Sequence, residues 1–540
     1  MPVTVSYPGV YIQELPSAVH PITGVATSIA AFVGWANQGP TTPQLVESWS
    51  DYVRMFGGLY QGAYLGYAVS QFFANGGNQA YIIRLTDATL TGGTAAAATL
   101  SLSAQAPWTG NIVFQAATLG ASNPGQWADN YGVIIKNQAS GPRFSLQVIY
   151  NPSPGTTAVT VVESFVNLSP TSPDPQGRYV GDILKTQSNY LMVQSNTLAV
   201  PSGTNPVPAA LAATTIGTGN TVKATWNLAN GNDGALLTPG PAGTPGNFET
   251  VLLDSAKGVG GVNQLVHVDL FNLLCVPGEV DPSTISTLET FCVNHRAFLI
   301  VDCQQTDTVT SLTPGPNNSI TGTPGTNAAF YFPWINAPDP LNQGGTGPFP
   351  PCGYVAGIYA STDGSRGVWK APAGTGASLS GVIGPLVTLN DADNGLLNPV
   401  AVNCIRNFSA YGTVSWGART LQGNDQIGSQ WKYVPVRRLA LYIEESLYRG
   451  TQWAVFEPND EPLWAALRLN IGSFMQTLFR QGAFQGQTPQ DAYFVKCDDE
   501  TTIQSDINLG VVNVLVGFAP LLPAEFVVIQ IQQMAGQASS

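Results

Sequence analysis

A chain of 540 residues with a formal net charge of −13 lacks the basic surface of a protein that wraps nucleic acid, so we expect no direct nucleic-acid partner. Its 58 glycines and 40 prolines indicate many turns, and its length predicts three or four folded domains. The N-terminus has no basic segment followed by an apolar run, and prolines interrupt the longest apolar stretch, 511–529. We therefore expect neither a secretory signal nor membrane insertion.

The first predicted element is an N-terminal arm. Residues 2–14 place β-forming side chains between prolines, ahead of the first credible core element. A lone strand does not stay paired in water, so this segment needs the edge of a sheet. It is expected either to complete the sheet of its own domain or to add to the sheet of a neighbouring copy.

Apolar strand-like runs then alternate with helical patterns, on both sides of a segment of different composition. The strands are expected at 29–36, 79–85, 265–276 and 296–303, and the helices at 50–55, 64–75 and 283–295, the last with Ser283 as its N-cap. Alternating strands and helices predict a mostly parallel α/β sheet that is split by an insertion.

The insertion is poor in charge. Residues 92–247 contain 10 charged side chains in 156 positions, whereas residues 432–506 contain 17 in 75. Polar and apolar residues alternate at 143–150 and 158–163, which is typical of antiparallel strands with one face in water. We predict an inserted β domain over 88–247.

Two helices and three strands are predicted near the C-terminus. The longer helix follows Asn459 or Asp460 as its cap, has Pro462 in its first turn and ends before Gly482. Its apolar face consists of Leu463, Trp464, Leu467, Ile471, Phe474, Met475, Leu478 and Phe479. The other helix, 436–449, is expected to bury Val436, Leu439, Ala440, Ile443 and Leu447 and to expose Arg437, Arg438, Glu444, Glu445 and Arg449. The strands are expected at 492–496, 510–518 and 525–532.

The sequence offers little for catalysis. The three histidines have no metal-ligand spacing, the six cysteines form no Cys-x-x-Cys pair, and the phosphate-loop and nucleophile-elbow motifs are missing. Asp302 ends an apolar run as catalytic carboxylates do in parallel sheets, but it has no partner nearby in sequence, so a capping or loop role is preferred. We predict no catalytic residue, no metal, no cofactor and no enzymatic activity.

Seven segments in order resemble one family. They are YPGVYIQE (7–14), GVATSIAAFVG (24–34), GVWKAPAG (367–374), NCIR (403–406), WGARTL (416–421), VRRL (436–439) and WAVFEPN (453–459). Together they resemble the sheath protein of contractile tails, as in contractile phages, R-type bacteriocins and extracellular contractile injection systems. The segment 88–247 does not take part in the resemblance.

The resemblance implies an α/β and α+β multidomain protein, with a split mixed α/β core and a C-terminal α+β domain between two strand-exchanging arms. The expected parts are an N-terminal arm (1–20), a split middle domain (21–87 and 248–395), the inserted β domain (88–247), a C-terminal domain (396–522) and a C-terminal arm (523–540). Such proteins form stacked hexameric rings around an inner tube, and their contraction drives the tube through a target envelope. The implied partners are further copies of the chain, the inner tube, the baseplate and a tail terminator or cap protein. Assembly is expected in the bacterial host cytoplasm, as part of a phage tail or an injection particle.

The resemblance also implies which residues join subunits. The N-terminal arm would use Val10, Tyr11, Ile12, Gln13 and Glu14, and the C-terminal arm Phe526, Val527, Val528, Ile529 and Ile531. The receiving sheet would contain Tyr493, Phe494, Val495, Val512, Val514 and Val516, and the tube-facing surface Arg437, Arg438 and Arg449. For the arginines, ordinary solvated helix charges are an equal alternative.

Two other classes of function stay open from the residues alone. One is an adhesin or receptor-binding structural protein that uses the inserted β domain as its binding surface. The other is an α/β hydrolase or carbohydrate-active enzyme with a β accessory domain, which would need a set of convergent titratable groups.

Overall fold

The computed structural model describes residues 20–139, 141–203, 207–254 and 260–530. The predicted arm residues 10–14 and Ile531 lie outside these ranges. The described chain separates into two compact units. Unit 1 contains residues 20–27, 362–371 and 431–530, and unit 2 contains the described residues of 28–361 and 372–430.

Unit 2 contains most of the strands. They are β1 (Ala30–Trp35), β2 (Gln44–Val46), β3 (Ala80–Leu85), β4 (Thr99–Ser103), β5 (Asn111–Thr118), β6 (Ala121–Ser122), β7 (Tyr131–Asn137), β8 (Phe144–Tyr150), β9 (Thr160–Leu168), β10 (Leu191–Asn196), β11 (Leu273–Cys275), β12 (Phe298–Asp302), β13 (Ala328–Phe332), β14 (Ile335–Pro338), β15 (Thr346–Phe349), β16 (Gly384–Pro385), β17 (Val402–Phe408) and β18 (Gly412–Ser415).

Its helices are α1 (Trp49–Phe56), α2 (Tyr64–Ala74), α3 (Val180–Gln187), α4 (Asn247–Leu252), α5 (Pro282–Asn294), α6 (Val309–Leu312), α7 (Cys352–Arg366) and α8 (Asp391–Leu397). Residues 362–366, at the end of α7, fall within unit 1.

An eight-stranded sheet forms the core of unit 2, in the order β18-β17-β13-β12-β11-β1-β3-β2. The six inner strands are parallel, and β2 and β18 pair antiparallel at the two edges. Strands β1, β12 and β13 are buried along their whole length, as expected for a sheet with both faces covered. The predicted split α/β core is confirmed.

The strand order reverses between β1 and β11, and ligands of open α/β sheets commonly bind beyond the carboxyl ends of the strands at such a point. Here Trp35 ends β1, and Leu237, Pro239 and Phe248 line the same place. The remaining cavity measures about 10 Å³. The return of the chain from the insertion therefore fills the crevice.

Two sequence predictions in this core were wrong in detail. The run 265–276 forms a strand only at Leu273–Cys275, and 3₁₀-helix covers Gly261–His267, because polar residues interrupt the apolar run. Helix α5 starts one residue before Ser283, and its cap is Asp281, whose carboxylate accepts the Thr284 N–H at 2.9 Å.

The predicted domain boundary at 395/396 was also wrong. Strand β17 pairs with β13, and β18 pairs with β17, so residues 402–415 complete the sheet of unit 2. Residues 362–371 belong to unit 1, so their predicted assignment to the middle domain is wrong as well. Local sequence patterns reveal neither of these two assignments, because both depend on contacts between residues that are far apart in the chain.

The insertion folds as two antiparallel sheets, one ordered β10-β5-β4 with β6 paired to β5, and the other β7-β8-β9. The strands predicted from the alternation at 143–150 and 158–163 are therefore confirmed. The two sheets and helix α3 share one core, whose buried side chains include Phe114, Val133, Phe144, Leu146 and Leu184. At the entry to the insertion, the Asp87 carboxylate accepts the N–H groups of Thr94, Ala95 and Ala235 at 2.8–3.1 Å. One carboxylate thus holds both the outgoing and the returning chain.

Unit 1 contains two long helices and a small sheet. Its elements are α9 (Val434–Gly450), α10 (Glu461–Arg480), α11 (Pro489–Ala492), α12 (Gln504–Asn508), β19 (Tyr493–Lys496) and β20 (Leu515–Phe518). Helix α10 confirms its prediction: Asp460 precedes it, Pro462 lies in its first turn, and its apolar face is buried except for the half-buried Phe479. The strand predicted at 525–532 does not form within the described part, since residues 521–530 have no helix or strand.

Candidate functional site

Within the part of the chain that the structure describes, the sheet of unit 1 has two strands. Strands β19 and β20 pair antiparallel, with Tyr493 opposite Phe518 and Val495 opposite Val516. These four side chains are half-buried and pack against the core formed by α9 and α10. On the outer face Phe494 and Leu515 are about half exposed, at 51% and 53%. A two-stranded sheet is marginal in isolation, so its stability depends on this packing and on further partners.

The hydrogen-bonding pattern of this sheet shows which backbone groups face its two edges. The Ala519 N–H donates to the Ala492 carbonyl, which makes 492 and 519 a hydrogen-bonded pair and, by alternation along the ladder, also Phe494 with Gly517. The backbone groups of Val495 on β19, and those of Val516 on β20, therefore point away from the partner strand. No third strand of the described residues pairs with either edge.

The chain beyond β20 exposes a continuous apolar segment. Phe526, Val527, Val528 and Ile529 are 76–82% exposed. The Tyr433 hydroxyl donates to a carboxylate oxygen of Glu525 at 3.3 Å, which places the start of this segment beside the beginning of α9. Four consecutive exposed apolar side chains are unusual on a protein surface and indicate a binding partner.

The structure separates the predicted receiving residues into two groups. Tyr493, Phe494, Val495 and Val516 belong to the two strands. Val512 and Val514 were wrongly placed in the sheet: they precede β20 and pack over a small core next to Cys497. Polar hydrogen bonds of Asn513 to Thr502 hold this stretch against a loop and keep it out of the strand.

The predicted arginines differ in environment. Arg438 is not on the surface, because it is 4% exposed and its guanidinium pairs with the buried Asp363 carboxylate at 2.6 and 2.9 Å. Glu445, also predicted to be exposed, is buried and pairs with the partly exposed Arg449 at 2.6 Å. Arg437 lies over the Trp431 ring and contacts Glu444 at 3.1 Å. Of the three predicted arginines, Arg449 is the most exposed, at 33% of its side chain, whereas Arg437 is largely buried, at 12%.

The Asp302 carboxylate is buried and accepts two backbone hydrogen bonds. Its two carboxylate oxygens accept the N–H groups of Gly278 at 3.0 Å and Cys352 at 2.8 Å. Burial raises the pKa of Asp302 to about 6, and these two donors partly offset that effect. The carboxylate thus links the loop after β11 to the first residue of α7, in agreement with the preferred capping or loop role.

The described residues contain no cluster of three or more His, Cys, Asp or Glu side chains arranged for a metal. Within the same part of the chain, no helix is both long enough and apolar enough to cross a membrane. All six cysteines are free and buried.

Sequence reasoning missed one group of contacts. Residues 20–27, which follow the arm, lie against α9 and α10: the His20 ring stacks on Trp453 with 4.2 Å between centroids, and the Arg438 guanidinium donates to the Thr27 carbonyl at 2.8 Å. The spacing of four between Arg438, Tyr442, Ser446 and Gly450 on α9 was a signal, but only the fold shows what covers that face.

Comparison with known proteins gives two domain matches. Residues 264–421 match the phage tail sheath protein central domain, and residues 427–534 match the phage tail sheath C-terminal domain.

The chain is also similar to two curated proteins. It is 27% identical to the tail sheath protein of Vibrio phage KVP40 over 24% of this chain and 19% of that protein. It is 26% identical to a putative prophage major tail sheath protein of Pseudomonas aeruginosa over 33% of this chain and 44% of that protein. The matched segments thus span less than half of these relatives.

Solved structures share the fold over nearly the whole chain. The PVC sheath complex of an extracellular contractile injection system, in its contracted state, is 23% identical with a TM-score of 0.56, covering 98% of each chain. The helical sheath of the anti-feeding prophage, also contracted, is 22% identical with a TM-score of 0.56, covering 98% of this chain and 100% of that one. A sheath tail protein from Listeria innocua is 10% identical with a TM-score of 0.55, covering 93% and 97%.

Proposed function

The chain is a contractile tail sheath protein, and on that premise we propose that it polymerises as stacked hexameric rings around an inner tube and contracts to drive the tube through a target envelope. The role is structural, and no chemical step is assigned to it. Its partners are further copies of the chain, the inner tube, a baseplate and a tail terminator or cap. Assembly takes place in the bacterial host cytoplasm, as part of a phage tail or an injection particle.

The observation that carries the proposal is that unit 1 contains both an exposed apolar segment and a sheet that can accept further strands. The exposed apolar segment at 526–529 forms no strand, and no further strand of the described residues fills either edge of the sheet of β19 and β20. Strand addition satisfies both, because main-chain hydrogen bonds fill the edge while alternate side chains are buried. The segment 10–14 supplies the second strand from another subunit.

Proline substitutions at the open edges test this directly. A proline at position 495 or 516 removes an N–H that points to the open edge and leaves the hydrogen bonds between β19 and β20 in place. Val495→Pro and Val516→Pro should give folded subunits that no longer form tubes in negatively stained electron micrographs. The matched controls, Val495→Ala and Val516→Ala, lose a similar side chain but keep the N–H and should still form tubes.

The proposal fails if the proline variants are folded by circular dichroism and polymerise as well as the alanine variants. Deletion of 525–540 provides a second route to the same question, since it leaves both strands intact. That variant should remain a folded monomer, and an unfolded product would mean that the segment belongs to its own domain.

We also propose that Arg437 and Arg449 contribute to the tube-facing surface. On α9 the Arg449 side chain is 33% exposed and the Arg437 side chain 12%, against 3% for Arg438. Charge reversal of both, Arg437→Glu with Arg449→Glu, should abolish tube docking in co-expression without reducing sheath polymerisation. Undiminished docking would show that these are ordinary helix charges.

A further inference from the structure

The chain that follows the N-terminal arm is held along one face of α9. We call residues 20–27 the arm root. Moving down the helix, the root contacts Arg438, Tyr442, Ser446 and Gly450, which are spaced four residues apart and therefore lie on one stripe. The root runs antiparallel to the helix, with Thr27 at the first position and Ile22 at the last.

Each position of the stripe makes a different contact. Arg438 donates to the Thr27 carbonyl at 2.8 Å, and the Val25 N–H donates to the buried Ser446 hydroxyl at 3.2 Å. The Tyr442 hydroxyl occupies the space that a side chain at Gly24 would need. At the far end, a Cβ on Gly450 would lie 2.7 Å from Ile22, so glycine leaves room for that side chain.

The end of the root nearest the arm is fixed as well. The His20 ring stacks on Trp453 at an interplanar angle of 17°, and the His20 N–H donates to the Asn470 side chain at 3.2 Å. Asn470 lies on α10, so both long helices of unit 1 hold the root. Because the arm root precedes β1 in the chain, a force applied to the arm must break these contacts before it acts on β1.

We propose that the stripe on α9 is a positioning site that fixes the arm root and takes up the load on the N-terminal arm. This rests on the proposed function, in which arms hold subunits together while the sheath changes length. The contacts are made by residues with separate tasks: Arg438 and Ser446 bind backbone groups, and Tyr442 and Gly450 shape the surface. The stripe thus binds the arm root of its own chain. Through the arm it stabilises the contact with the neighbouring subunit.

The test compares two glycines on the neighbouring helices. Gly450→Val fills the place of Ile22, whereas Gly472→Val, on α10, places the same side chain where a Cβ meets no atom within 4 Å. In the free subunit, Gly450→Val should raise hydrogen exchange of the Val25 amide at least tenfold and leave the amides of α10 unchanged. Its tubes should form in lower yield and dissociate at lower urea than those of the wild type, while Gly472→Val should match the wild type in all three measurements.

Ser446→Ala gives a second variant that adds no volume, and it keeps the comparison valid if Gly450→Val does not fold. It should raise exchange at Val25 and weaken the tubes in the same direction. Loosening of Val25 together with tubes as resistant as the wild type would overturn the inference and leave the proposed function intact. Failure of the wild type and of Val495→Ala to form any tubes with tube protein present would instead count against the proposed function, since those chains keep the root in place.

Discussion

Arg438 and Asp363 lie 75 positions apart in the chain, and their side chains form an ion pair that is 3% exposed on either side. The guanidinium contacts both carboxylate oxygens, at 2.6 and 2.9 Å, and also binds the Thr27 carbonyl. A buried ion pair of this geometry joins three chain segments of unit 1, and its members cannot be removed singly without leaving an unpaired charge.

Removing one partner of this pair should be costly. Arg438→Met leaves the Asp363 carboxylate buried without its counter-charge, which typically costs about 3–5 kcal/mol. The double variant Arg438→Met with Asp363→Leu should recover most of that loss. As the control, Arg480→Met, at an exposed position of α10, should cost less than about 1 kcal/mol. Urea unfolding of the four chains measures these differences. Equal losses in the two single arginine variants would contradict the pairing.

Unit 2 should lose stability as the pH rises. Glu289 is 1% exposed, neither of its carboxylate oxygens has a hydrogen-bond partner among the described residues, and burial raises its pKa to about 9 from 4.5. Between these two values the folded state binds the proton more tightly than the unfolded state, so the free energy of unfolding falls with rising pH, by up to about 1.4 kcal/mol per pH unit for this group.

Glu289→Gln should therefore stabilise the protein at pH 8.5 and have little effect near pH 4.5, which flattens the dependence of Tm on pH. Glu444→Gln, at an exposed carboxylate on α9, serves as the control and should follow the wild type. Burial also raises the pKa of Glu279, to about 8, with added repulsion from Glu249 and Asp281, so part of the slope will remain. An unchanged slope in Glu289→Gln would refute the assignment.

Asp87 should govern the attachment of the insertion. Asp87→Ala leaves three N–H groups, on Thr94, Ala95 and Ala235, without their acceptor, at about 1–3 kcal/mol for each one that water does not reach. Exchange of these amides should accelerate strongly, while the amides of β8 stay protected. Asp87→Asn keeps one acceptor oxygen and should fall between alanine and the wild type. Uniform acceleration across the insertion would indicate general unfolding instead.

A glycine on β20 makes room for an aromatic ring. The Phe494 ring lies over Gly517, where an added Cβ would overlap it. Gly517→Val should displace the ring and destabilise the small sheet by about 1–3 kcal/mol, as overpacking does. Phe494→Ser in the same chain should remove the conflict. The signal is the chemical shift and exchange of the β19 amides, and failure of the second change to restore them would argue against the contact.

Local patterns predicted the elements whose determinants lie close in sequence. Helix α10 followed from its 3.6-residue periodicity together with Pro462 and Gly482, and β1 and β12 followed from short apolar runs. Local patterns did not predict which face of α9 is exposed, because distant segments cover part of it. The helical pattern places Arg438 in solvent, whereas in the structure the arm root and Asp363 cover it. The open sheet shows the same limit, since β20 begins only at Leu515, after polar contacts that have no signature in the apolar run 510–518.

If the small sheet joins subunits as proposed, its two edges, which no further strand of the described residues fills, also determine how the polymer ends. In an assembly joined through them, each interior subunit has both edges filled by neighbours, while the subunits of an end layer keep edges that no neighbour occupies. Such an end continues to accept subunits through the backbone groups of Val495 or Val516. The length of the polymer then depends on the molecule that binds the edges of the end layer. That molecule should bind them with an extended segment of its own chain, and it does not need a sheet like this one.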